Sequence, residues 1–168
     1  MSTTSIDIRR ASPHDARGIS QVHDYSWRAS YSGLIPHRAL ETLISRRDVN
    51  WWSNAIHRST RILVLEAMGD IAGYATFGHN RKAELPHQGE VYELYLMPTY
   101  QGVGFGKRLF LAARQELVNL GLRGSVVWVL EDNRSAVDFY EKAGGVWLGQ
   151  GTETFNGTTL MKSAYGWA

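Results

Sequence analysis

Cysteine is absent from the 168 residues. That excludes a disulfide framework, thiolate zinc sites, thiol redox chemistry and any cysteine nucleophile. Proline is scarce, at four residues, and no Pro/Gly/Ser-rich linker or repeat divides the chain, so a single domain over residues 1–168 is expected. Long apolar runs are also missing. A run such as Val126 to Leu130, which no other exceeds, is far short of the ~20 residues a membrane helix needs. Residues 1–10 lack the apolar core of a signal peptide, which leaves cytoplasm as the default compartment and no membrane as partner. Neither sign of charge dominates, since 18 Lys+Arg against 16 Asp+Glu leaves +2. No contiguous basic stripe suits a nucleic acid, and the short run Arg46-Arg47 reads as a solvated helix face. His14, His23, His37, His57, His79 and His87 are scattered without metal-ligand spacing, so no metal is expected.

The patterning describes a mixed α/β chain. Ile6 and Ile8 alternate with polar neighbours, a short strand, and Ser12-Pro13 then opens a helix in cap-then-proline order. A break at Ser32-Gly33 and Pro36 leads to a second helical region over 36–58. Residues 61–67 and 71–77 read as strands around Met68-Gly69-Asp70, and 90–97 as a strand halted by Pro98. A helix over 104–120, an apolar strand over 125–130 and a helix over 133–143 follow. Asn156-Gly157 then joins two strands, 146–155 and 158–166, as a hairpin. The order is β-α-α-β-β-β-α-β-α-β-β.

The informative stretch is Tyr92 to Lys107, where a strand runs into a glycine-rich turn that opens a helix. Gly102, Gly104 and Gly106 let consecutive backbone N–H groups converge, and a helix N-terminus adds unpaired N–H groups and partial positive charge. Together they can cradle a phosphate, with Lys107 as an added point charge. The dinucleotide fingerprint fails on spacing, because Lys107 or Leu109 stands where its third glycine belongs. The P-loop fails at Gln101 and Arg108. A plain tight turn is the other reading of the same glycines.

Gln101-x-x-Gly104-x-Gly106 resembles the Q/R-x-x-G-x-G/A acetyl-CoA pyrophosphate motif of the GNAT N-acetyltransferase superfamily. Trp128 to Gly144 is similar to the family's W-V-L-x-x-N-x-x-A-x-x-F-Y segment, with Gly145 standing where the family usually has Phe. The resemblance implies the GNAT fold: a central, mixed, mostly antiparallel twisted sheet of about seven strands flanked by about four helices. It also implies acetyl-CoA as cofactor with coenzyme A as product, held by the backbone of Leu96, Met97, Gln101, Gly102, Val103, Gly104, Gly106 and Lys107. A backbone N–H near Leu96 then polarises the thioester carbonyl. Asn133 contacts the pantetheine arm, besides its reading as a helix N-cap. A bulge at Tyr95–Leu96 and a homodimer formed through the last hairpin belong to the same family picture.

For chemistry, Tyr140 is the candidate acid, since a phenol is protonated at neutral pH and can donate to a departing thiolate. The alternative is a core tyrosine beside Phe139. Glu93 and Glu90, on opposite faces of one strand, are the candidate bases, with Glu93 preferred and a water chain as a third option. Trp27, Arg28 and Tyr31 fall in a W-x-x-x-Y-x-G-x-x-P segment that resembles the acceptor lid of small bacterial relatives. Arg28 could take a carboxylate or phosphate of the acceptor there, while Trp27, Trp51 and Trp52 could simply pack. The expected activity is acetyl transfer to an amine of a small molecule or peptide by direct attack. The competing reading is a non-catalytic acyl-CoA-binding module on the same fold.

Overall fold

The computed structural model describes residues 5–59 and 61–168; the first four residues of the stretch read for a leader lie outside them. The elements run β1 (Ile6–Arg10), α1 (Ala16–Tyr31), α2 (His37–Ser45), α3 (Val49–Arg58), β2 (Ile62–Ala67), β3 (Asp70–His79), β4 (Gly89–Leu96), α4 (Phe105–Asn119), β5 (Ser125–Leu130), α5 (Arg134–Lys142), β6 (Val146–Phe155) and β7 (Thr158–Trp167). Single 3-10 turns at Pro13–Asp15 and Pro98–Tyr100 precede α1 and the glycine turn. The helical region expected over 36–58 is two helices. Asp48 stops and restarts the chain, its carboxylate accepting the Trp51 N–H at 2.9 Å as an N-cap. Among the described residues five α-helices therefore stand where about four were expected.

The strands form a seven-stranded sheet in the order β1-β2-β3-β4-β5-β7-β6. The registered pairs β1–β2, β2–β3, β5–β7 and β6–β7 are antiparallel, and β4–β5 is parallel. No helix among the described residues is long and apolar enough to cross a membrane.

The chain divides into two compact units, each assembled from two separated stretches: Met1–Thr76 with Glu93–Ala113, and Phe77–Tyr92 with Arg114–Ala168. In the first unit the apolar faces of α1 and α3 close on β2 and β3 through Ile19, Val22, Trp52, Ile56, Ile62, Val64 and Tyr74. Asp15, buried at the entrance to α1, takes both Arg9 Nη groups at 2.7 and 2.9 Å and the Ser12 N–H at 2.7 Å. Burial pushes its carboxyl toward the neutral form, but these donors win and hold it below the usual carboxylate range.

In the second unit β5 and β7 pair from Ser125↔Trp167 to Leu130↔Lys162, and β7 continues into the β6 hairpin. Asn156 and Gly157 both carry positive φ at its turn, 46° and 93°, as a two-residue hairpin loop demands. The aromatic missing at Gly145 is supplied from β7. A Cβ at Gly145 would lie 2.7 Å from Trp167 Cζ2 and 2.9 Å from the Tyr140 carbonyl. The indole therefore occupies the space a side chain there would need, with its Nε1 donating to the Ala143 carbonyl at 3.0 Å.

Candidate active site

The glycine turn in the first unit is built as its spacing predicts. Gly102 and Gly104 adopt φ of 81° and 89°, a region costly for residues with a Cβ. Nothing lies within 4 Å of a Cβ placed at either position, so the glycines are required by backbone conformation and the space above the turn is open. Gly104 ends the turn, its carbonyl accepting the Arg108 N–H at 3.1 Å. The N–H groups of Phe105, Gly106 and Lys107 precede any intrahelical acceptor and emerge at the open end of α4. Phe105, which the motif leaves unnamed between its glycines, contributes the first of these N–H groups. Val103 is 65% exposed at the crest of the turn.

Upstream, the backbone of β4 sorts its donors by parity. Met97 N–H donates to the Ala72 carbonyl on β3 at 2.7 Å, and Met97 C=O accepts from Tyr100 N–H at 2.9 Å. Both Met97 groups are thus engaged within the protein. Because successive residues on a strand turn their N–H to opposite sides, Leu96 N–H points away from β3. The Leu96 carbonyl accepts from Gln101 Nε2 at 2.8 Å, which ties the motif's glutamine side chain to the strand end. On the side away from β3, registered pairing of β4 with β5 among the described residues is confined to Gly89↔Ser125 and Glu90↔Val126.

Glu93 lies three residues before Leu96 and gathers three donors in the first unit. Its Oε1 accepts from Arg47 Nη1 at 2.8 Å and Thr76 Oγ1 at 3.3 Å, and Oε2 accepts from Tyr74 Oη at 3.1 Å. The Arg47 guanidinium carbon sits 4.6 Å from the Trp51 ring centroid and 5.7 Å from that of Trp52. Arg47 is thereby a paired, aromatic-packed cation, in place of the solvated helix face expected of the run Arg46-Arg47. Burial works against its charge, but the Glu93 carboxylate more than compensates and raises its pKa. Tyr74, wholly buried, is pushed well above a phenol's ordinary value by burial and then by Glu93, so it serves as a donor.

Trp27 and Tyr31 pack ring to ring at 4.7 Å one helical turn apart, and Tyr31 is buried. Every nitrogen of the Arg28 fork is engaged: Nε donates to Asp24 at 2.6 Å, while Nη1 and Nη2 go to the two oxygens of Glu41. Arg28 is thereby paired with two carboxylates, three of its five N–H groups donating to them.

In the second unit Glu90 is 1% exposed and bound by Arg81, through Nη2 at 2.7 Å, Nε at 3.3 Å and the backbone N–H at 3.0 Å. Arg81 in turn lies over the Tyr92 ring at 4.4 Å. The pair anchors the loop between β3 and β4. Asn133 caps α5, its side chain accepting from Ala136 N–H at 3.3 Å. Two turns on, Tyr140 is buried between Phe139, at 5.1 Å, and Trp167, at 6.0 Å. Burial raises its pKa, keeping the phenol protonated across the physiological range.

A mixed seven-stranded sheet whose fourth strand runs through a glycine turn into a helix N-terminus defines the N-acetyltransferase class. Over residues 20–145 the chain matches the acetyltransferase (GNAT) family, and it belongs to that family. It is 27% identical over 162 residues to the N-acetyltransferase YuaI of Bacillus subtilis, covering 96% of this chain and 92% of that protein. It is 28% identical over 141 residues to a spermidine N(1)-acetyltransferase of Thermoplasma acidophilum, covering 83% and 88% of the two chains. A longer relative, a mycothiol acetyltransferase of Paenarthrobacter aurescens, is 29% identical over 73% of this chain, which spans 39% of its length. The crystal structure of the PaiA N-acetyltransferase of Thermoplasma acidophilum with coenzyme A shares the fold at a TM-score of 0.71. Its identity is 24%, and the match covers 95% of this chain and 98% of that one.

Proposed function

We propose that the protein transfers an acetyl group from acetyl-CoA to a primary amine of a small molecule or peptide, by direct attack of the amine with both substrates bound. One observation carries this reading. A strand end presenting the Leu96 N–H on its open side leads within ten residues to an open helix N-terminus shaped by two positive-φ glycines. That donor set fits an elongated ligand with amides at one end of the stretch and a pyrophosphate at the other.

Acetyl-CoA supplies the acetyl group as a thioester. The N–H groups of Phe105, Gly106 and Lys107, with the Lys107 charge and the backbone of Gly102 and Val103, hold the pyrophosphate. Gln101 fixes the turn through its bond to Leu96. Leu96 N–H is aimed to polarise the reacting carbonyl, and Asn133 contributes to the pantetheine arm. Glu93, through Oε2 or a water held there, takes the proton from the acceptor ammonium. Glu90 is assigned a structural part, since its carboxylate is committed to Arg81. Tyr140, kept protonated by burial, donates to the departing thiolate. The spermidine specificity in the name of one relative supports a small amine as acceptor.

The test is coenzyme A release from acetyl-CoA over amino acids, diamines, spermidine, aminoglycosides and peptide N-termini. Turnover with at least one class is expected. Acetyl-CoA binding without turnover across the panel would favour the non-catalytic acyl-CoA-binding module instead.

A further inference from the structure

We infer that Arg47 and Glu93 form a paired-charge subsite that selects acceptors carrying a carboxylate as well as the amine, amino acids in preference to simple diamines. The inference rests on the acetyltransferase reading above and names its substrate class.

Arg47 stands in the connector between α2 and α3, packed over Trp51 and tied to Glu93. A guanidinium has five N–H donors. Among the described residues the side-chain hydrogen bonding of Arg47 is the single bond from Nη1 to Glu93, and its side chain is 32% exposed. The Nε–Nη2 edge is therefore held in place with no hydrogen bond among the described residues, whereas each nitrogen of the Arg28 fork already donates to a carboxylate. An ionised carboxylate offers about four acceptor positions. Three on Glu93 are filled by Arg47, Thr76 and Tyr74, which leaves one on Oε2.

The pair thus carries no net charge, one open donor edge and one open acceptor position. Of the other titratable groups around it, His23 on α1 and Tyr74 on β3 are held neutral, and Tyr95 on β4 lies beside them. A zwitterion complements that arrangement, its carboxylate lying across the planar Arg47 edge and its ammonium on Glu93 Oε2. A diamine brings a second cation toward Arg47, with the local carboxylate already neutralised, and is disfavoured by like charge.

Matched acceptors that differ only in the carboxylate decide the matter: L-ornithine against putrescine, and L-lysine against cadaverine, by coenzyme A release at saturating acetyl-CoA. The expected kcat/KM for each amino acid exceeds that of its decarboxylated partner by about tenfold or more, the size of a charge-assisted pair. Arg47→Met should bring that ratio toward one, chiefly by raising KM for the amino acid, and Arg47→Lys should keep part of it. A purely structural Arg47 would lower both members of a pair alike and leave the ratio unchanged. An unchanged ratio in Arg47→Met, or a wild-type ratio of one or below, overturns the inference. So does turnover of other amines in the wider panel with none of these four. If no amine at all is turned over, the acetyltransferase reading fails and the inference falls with it.

Discussion

His23 on α1 has no exposed surface, and neither ring nitrogen has a hydrogen-bond partner among the described residues. It packs 5.0 Å from Trp27 and 5.8 Å from Trp52. Burial, and then the Arg47 charge, pull its pKa from 6.5 down to about 3. The folded protein holds it neutral while the unfolded chain takes up a proton below pH 6.5. Stability is therefore lost as pH falls through 6.5, and the loss continues toward 3. At pH 5 the loss from this one group is about 2 kcal/mol. In urea unfolding at pH 7 and pH 5, His23→Phe should show a smaller drop between the two than wild type; equal drops would mean the imidazole is not held neutral. Tyr140 offers the second single-residue test. Tyr140→Phe should lower kcat by about 10²-fold, in the range of a lost general acid, while calorimetry finds acetyl-CoA bound as before. Undiminished turnover would remove the phenol from the reaction.

Between elements, the packing of Trp167 on Gly145 makes a reciprocal prediction. Restoring the family's usual residue, Gly145→Phe, should destabilise the second unit by roughly 1–3 kcal/mol through overpacking. The double variant with Trp167→Ala should cost less than the two single changes summed, by a coupling of about 0.5–3 kcal/mol in a double-mutant cycle. Additive costs would separate the two side chains. How far such features could be read from the chain depends on sequence separation. The glycine turn, the Asn156-Gly157 hairpin and the α5 cap are local, each bond closing within a few residues, and the residue order displays them. The partners of Glu93 stand 17, 19 and 46 positions away, and no periodicity brings Arg47 to it. Met97 is a related case, because its donor is taken by Ala72 on another strand and residue type does not announce that. The division of 36–58 was legible at Asp48, whose spacing to Trp51 is that of a cap, but the apolar positions on either side masked it.

At the level of the whole molecule, ligand binding and folding are linked. Acetyl-CoA bound only by the native state, at a hundredfold excess over its Kd, stabilises by about 2.7 kcal/mol. For a chain of this size that corresponds to a rise in Tm of roughly 5–10 °C. Differential scanning calorimetry should find it, and no rise at saturating acetyl-CoA would argue against native-state binding. The parity of β4 has a further consequence, for how this chain can vary over time. Between Glu93 and Leu96 each residue assigns its neighbour to one side or the other, so one inserted or deleted residue would turn the Leu96 N–H back onto β3. Sequences diverging from this one can therefore exchange residue types at positions 94 and 95 but not the length of that interval.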